Sequence, residues 1–169
     1  DLTNLEYAGN YAFTGYVTTT EKDYYEISYT WSDAVGSTAT KFQALNLEKL
    51  VYAGDYAFYG VPAKSVSVPV IETIGKQAFY GISASTFNVS ATVKEIGEGA
   101  LSGMSLATAF TSDNDVYFEE DGVIYRKMDE GKYELFAYPA GKQGVEGEDG
   151  KKTFTIKEGT VRVAAYAGS

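Results

Sequence analysis

The phrase Ile71-Glu72-Thr73-Ile74-Gly75-Lys76-Gln77-Ala78-Phe79-Tyr80-Gly81 occurs in variant form four times in the chain. A repeat of this kind constrains the fold more than any local propensity does. The other copies run from Leu5 to Gly15, from Leu50 to Gly60 and from Val93 to Gly103, and a partial fifth, Val163-Ala164-Ala165-Tyr166-Ala167, carries Ala164 in place of the shared Gly. Ala57 lies 21 residues before Ala78, and Ala78 lies 22 before Ala100, which sets the repeat length. The 45 residues from Ala12 to Ala57 then read as one repeat plus an insertion of 24.

Within a copy the apolar residues fall at i, i+3, i+7 and i+8, as at Ile71, Ile74, Ala78 and Phe79. That spacing predicts one face of a helix. The closing Gly (Gly15, Gly60, Gly81, Gly103) stands where a short helix ends in a left-handed residue. Between copies the chain alternates as a strand does. Leu45, Val66 and Phe87 form one column, and Leu47, Val68, Val89 and Phe110 a second, with Asn46, Ser67, Asn88 and Ala109 pointing the other way. One strand and one helical turn cannot bury an apolar face alone, so successive coils are expected to stack, with strands about 4.8 Å apart. The expected core ladder is Phe13, Phe58, Phe79 and Leu101, with Ala12, Ala57, Ala78 and Ala100 beside it.

The pattern Ile/Val-x-x-Ile-Gly-x-x-Ala-Phe-x-Gly at this spacing resembles the leucine-rich repeat of BspA-like bacterial surface proteins. Phe118-Glu119-Glu120-Asp121-Gly122-Val123-Ile124-Tyr125, followed by Leu135 and Tyr138-Pro139-Ala140-Gly141-Lys142, looks like the longer unit that family inserts between repeats. Thr153-Phe154-Thr155-Ile156 and Glu158-Gly159-Thr160-Val161 look like the strand that re-enters the stack. The resemblance covers most of the chain from about Leu47 and, more weakly, the first copy. Leu101 departs from it by replacing Phe, Ala8 and Ala53 by replacing Ile, and segment 16–40 has no counterpart. It implies an α/β, β-rich, leucine-rich-repeat-like solenoid of short parallel strands and short helical turns, with a β-hairpin or meander insertion. On this reading residues 1–169 are one domain, with insertions at about 16–40 and 112–152. It also implies export to the surface of a bacterium, often of the Bacteroides type, and adhesion to host or microbial surfaces.

Composition narrows the chemistry. The chain has no His and no Cys, which removes the usual general base near neutral pH, thiol nucleophiles, disulfides and thiolate zinc sites. Its net charge of −9 opposes nucleic acid and anionic lipid. Its apolar runs are only a few residues, far short of the roughly 20 that cross a bilayer. No basic-then-apolar leader stands at Asp1, so any export signal is expected to have been removed from this chain. No catalytic residue, metal ligand or cofactor is expected. Asp113, Asp115, Glu119, Glu120 and Asp121 invite a calcium reading but lack the glycine and the twelfth-position Glu of an EF-hand loop, and a solvated turn is the expectation.

In 16–40, Tyr25, Ile27, Tyr29 and Trp31 alternate with Tyr24, Glu26, Ser28 and Thr30, which predicts a strand covering an end or edge of the stack, or an aromatic strip anchored by Trp31. In 112–152, strands are predicted near Val116–Phe118, Val123–Arg126 and Tyr133–Ala137, followed by a mobile loop over Gly141–Lys152. The candidate contact residues are Asn46, Ser67 and Asn88 on a small uncharged face, with Tyr59, Tyr80 and Trp31 as aromatic contacts. The leading expectation is a non-enzymatic interaction module that binds a host or microbial surface protein. A carbohydrate-binding module using exposed Tyr and Trp, and an architectural spacer in a larger surface protein, are the alternatives.

Overall fold

A computed structural model describes residues 2–13, 16–19, 27–30 and 44–168, the segments 16–19 and 27–30 as backbone only. Four two-residue strands, Tyr7–Ala8, Tyr52–Ala53, Thr73–Ile74 and Glu95–Ile96, pair in parallel as one four-stranded sheet in that order. Ala8, Ala53, Ile74 and Ile96 point inward and are buried. Because Tyr7 pairs directly with Tyr52, the first insertion leaves the stacking uninterrupted. Within that insertion Tyr16–Thr19 pairs antiparallel with Ile27–Thr30. Tyr25 and Trp31 lie outside the described residues.

The expected helical turns are not there: among the described residues the chain has strands and turns but no helix. The amides explain why. In a helix every N–H would bond to its own coil, whereas here alternate amides do so. Ala57 donates to Gly54 (3.2 Å) and Tyr59 to Tyr56 (3.2 Å), while Tyr56 donates to Lys76 (2.8 Å), Phe58 to Ala78 (2.8 Å) and Gly60 to Tyr80 (2.8 Å) of the next coil. The residue before each shared alanine is left-handed: Tyr11 (φ 58°), Tyr56 (57°), Gln77 (50°), Gly99 (68°) and Tyr166 (62°). With the bond from Ala57 to Gly54, a positive φ at the third residue is the pattern of a type II turn. Two consecutive turns, not a helix, produce the i, i+3, i+7, i+8 spacing.

The other side of the coil is less continuous than a solenoid's second sheet. Leu45–Asn46 pairs with Val66–Ser67, and Asn88–Val89 with Thr111–Ser112, but no ladder joins Val66–Ser67 to Asn88–Val89. The column ending in Phe110 is also corrected. Thr111 donates to Phe87 (3.0 Å), so Phe110 follows Phe87 rather than Val89, and Thr111, not Ala109, stands beside Asn88.

Stacked coils bring equivalent rings face to face. Phe13 and Phe58 are 5.0 Å apart at 9°, Phe58 and Phe79 5.2 Å at 3°, and Phe87 tilts against Phe79 at 5.3 Å. Phe58, Phe79, Leu101, Ala57, Ala78 and Ala100 are buried. Ala12 departs from the expected core: it is exposed and Phe13 half-buried, because theirs is the outermost described coil and, among the described residues, a neighbouring coil covers it on one side alone.

After the fourth copy, Tyr117–Glu120, Val123–Lys127 and Tyr133–Ala137 form an antiparallel meander, and Thr160–Val163 joins its last strand in parallel. Part of the predicted mobile loop is instead a small hairpin, Val145–Glu146 with Lys152–Thr153. Asn114 fastens the meander to the stack. Its buried side chain donates to the carbonyls of Val93 (2.8 Å) and Ser90 (3.2 Å) and accepts from the amides of Val116 and Tyr117 (both 2.9 Å). Removing it strands several buried partners, so Asn114→Ala should lower stability by about 2 kcal/mol. Urea unfolding checks this, and an unchanged midpoint would contradict the cap.

Candidate interaction surface

The parallel register decides which side chains share a face. Tyr7 and Tyr52 occupy equivalent outward positions of the four-stranded sheet, and their rings stack at 4.5 Å and 5°. Tyr11 and Tyr56 are the left-handed turn residues of the same two coils and stack at 4.9 Å and 5°. Tyr59 and Tyr80, expected as contacts, stack at 4.9 Å and 9°, and Tyr56 meets Tyr59 at 5.9 Å. The spacing of parallel strands, about 4.8 Å, is what places equivalent rings at stacking distance. Three tyrosine columns thus line the first three coils.

Tyr7 and Tyr11 are more than half exposed, at 63% and 53%, whereas Tyr52, Tyr56, Tyr59 and Tyr80 are half-buried. Desolvation raises the Tyr52 phenol above the ordinary tyrosine range, and the Tyr7 hydroxyl and the charges of Asp55 and Glu95 add to the rise. Near neutral pH it therefore keeps its proton and can donate. Because rings of a column cover each other, the columns present edges and hydroxyls to a partner rather than the ring faces that meet.

The helical reading hides the alignment of Tyr7 with Tyr52 and of Tyr11 with Tyr56, so none of the four is among the expected contact residues. The signal was in the sequence: Tyr at the same two offsets in the first and second copies.

The small uncharged face is partly occupied. Asn46 and Asn88 are exposed and Ser67 half-buried. Ser67 donates to Glu48 (3.2 Å), and Asn88 donates to Asp113 (2.9 Å) while accepting from Thr111 (2.9 Å). Ala107 is buried, with Gly141 donating to its carbonyl, so the meander closes that end of the face.

The acidic group resolves into separate partners. Glu120 pairs with Lys157 (2.6 Å), Asp121 with Lys142 (3.4 Å), Asp113 with Asn88, and Glu119 accepts from the Gly122 amide. Among the described residues no group of three or more His, Cys, Asp or Glu is placed to hold a metal. The buried carboxylate Glu134 lies between Arg126 (2.6 Å) and Arg162 (2.8 Å) on neighbouring strands, which fits a structural triad. Among the described residues no helix is long and apolar enough to cross a membrane.

Residues 36–125 match the family model for the BspA type leucine rich repeat region, in 6 copies. The crystal structure of a leucine rich cell surface protein from Faecalibacterium prausnitzii A2-165 is similar, with a TM-score of 0.59 and 25% sequence identity, over 72% of this chain and 31% of that one. The chain thus spans less than a third of that protein's length. A search of curated proteins finds no match.

Proposed function

The chain belongs to the BspA-type leucine-rich-repeat family, and from that premise we propose that it is a non-enzymatic module of a bacterial surface or secreted protein that binds another protein through its tyrosine-bearing coils. The single observation that carries this reading is the set of three stacked columns, Tyr7 on Tyr52, Tyr11 on Tyr56 and Tyr59 on Tyr80. Tyrosine gives large contact area at low entropic cost and is enriched where protein partners bind most strongly. Stacking within the columns fixes the rings before a partner arrives, which reduces the ordering cost of binding. The similarity to a leucine rich cell surface protein supports the surface address.

A glycan is the weaker partner on the same observation. Sugars dock on open aromatic faces, and the facing rings of each column are 4.5–4.9 Å apart, too close to admit one. Adhesion to host matrix or to other microbes is the biological role this reading proposes.

The test is retention of the purified chain on immobilised host-matrix proteins and on whole bacteria, run beside a glycan array. At least one protein surface should retain it, and Tyr52→Ser with Tyr56→Ser should weaken that retention at least about tenfold. The array should stay blank. Retention unchanged in the double variant, or glycan binding without protein binding, would overturn the reading. No retention on any surface would favour a spacer.

A further inference from the structure

The tyrosine columns have a chemical property that binding a partner does not use. Each column is broken after its second ring, because the next coil carries a different residue at that place: Thr73 follows Tyr52, Gln77 follows Tyr56, and Ser102 follows Tyr80. The parallel register makes the two rings near translations of one another, so equivalent atoms lie about one strand spacing, 4.8 Å, apart. Interplanar angles of 5°, 5° and 9° agree with this. The ring carbons beside one hydroxyl therefore face those beside the other, and two phenols held in this way are placed for carbon–carbon coupling.

Tyr59 and Tyr80 show the placement most clearly. The amide of Gly60 donates to the Tyr80 carbonyl (2.8 Å), which fixes the second coil against the third at this point. Tyr59 meets two tyrosine rings, but in different ways: Tyr80 is stacked on it at 4.9 Å and 9°, whereas Tyr56 is tilted at 45° and 5.9 Å away. In the meander the tyrosine rings meet phenylalanine, which has no hydroxyl: Tyr117 meets Phe136, Tyr133 meets Phe118, and Tyr138 meets Phe154. The chain also contains no cysteine, so a disulfide cannot serve as its covalent staple.

We propose that Tyr59 and Tyr80 are a site of oxidative modification, at which a one-electron oxidant of the haem-peroxidase class, supplied with hydrogen peroxide, joins the two rings as dityrosine and links the second coil to the third. Each phenol gives up one electron and its hydroxyl proton. The two tyrosyl radicals combine through ring carbons adjacent to their oxygens, and the hydrogens on those carbons move to the oxygens to restore both phenols. Hydrogen peroxide takes up the two electrons and the two released protons and becomes two waters. The reaction needs little movement of the main chain, because the register has already brought the rings together.

Treatment of the purified 169-residue chain, at low protein concentration, with a haem peroxidase and hydrogen peroxide tests this. Trypsin then releases residues 50–64, which hold Tyr52, Tyr56 and Tyr59, and residues 77–94, in which Tyr80 is the sole tyrosine. The two peptides should be found joined, lighter than their sum by two hydrogens and with dityrosine fluorescence. Tyr59→Phe keeps a ring in the stack without its hydroxyl and should abolish the joined species, while Tyr56→Phe should leave it. The linked chain should stay monomeric and melt about 5–10 °C higher, because closing a loop of this length restricts the unfolded chain. Dityrosine formed only between chains, a joined species that survives Tyr59→Phe and is lost with Tyr56→Phe, or no dityrosine at all would overturn the proposal.

Discussion

Phe79→Ala is expected to lower the unfolding free energy by about 3–5 kcal/mol, the range for truncating a buried aromatic. Phe79 is fully buried, with Phe58 stacked on it at 5.2 Å and Phe87 tilted against it at 5.3 Å. No main-chain movement can fill the gap, because each coil is fastened to the next by backbone hydrogen bonds on both flanks of the ring: Phe79 donates to Ala100 (3.0 Å) and Phe58 to Ala78 (2.8 Å). Against a typical stability of about 5–15 kcal/mol, this loss leaves a marginal fold. Urea unfolding followed by circular dichroism measures it. Phe13→Ala, on the half-buried outer coil, should cost about half as much, and equal costs would contradict a graded stack.

The second large effect comes from adding a single methyl group. Gly75→Ala would place a Cβ 2.5 Å from the amide nitrogen of Asp55 and 2.5 Å from the carbonyl carbon of Gly54. The atoms met are backbone, which cannot rotate aside, so the two coils must part. The hydrogen bonds from Gly75 to Ala53 and from Lys76 to the Asp55 carboxylate (both 2.7 Å) would go with them. A cost of about 3 kcal/mol is expected, at the upper end for overpacking. Gly9→Ala is the control, and thermal melts of the pair should differ by about 5–10 °C. Equal melts would mean that the glycine is inherited sequence, not a steric requirement.

These two residues show how much was legible in the sequence. The repeat phrase, its length of 21 or 22 residues and the Phe ladder were readable because equivalent positions in stacked coils must meet equivalent neighbours. The helical turns were misread for a definite reason. Apolar spacing records which side chains face inward and is silent on whether an amide bonds to its own coil or to the next. Tyr56 and Gln77 give no warning of a left-handed backbone, since neither is a residue type that favours it. That error hid the four-stranded sheet and with it the alignment of Tyr7 with Tyr52. The Phe110 column slipped because Phe87 and Phe110 are 23 residues apart, longer than the repeat. Of the expected contacts, Tyr59 and Tyr80 stand among the tyrosine columns, whereas Asn88 is engaged by Asp113 and Thr111. Neither the hairpin at Val145–Thr153 nor the Asn114 cap follows the repeat, so periodicity could not announce them.

The claim beneath all of this is that successive copies of the phrase lie side by side as parallel strands in a fixed register. The chain contains no cysteine, so two introduced thiols would be the only ones present. Thr73 and Glu95 are partners on adjacent strands, and Thr73→Cys with Glu95→Cys should oxidise readily to a disulfide within one chain, seen as a mobility shift that reductant reverses. Thr73→Cys with Lys64→Cys, closer in sequence and not paired in the sheet, should not. The opposite result, ready closure of the second pair and none of the first, would contradict the stacked-coil fold.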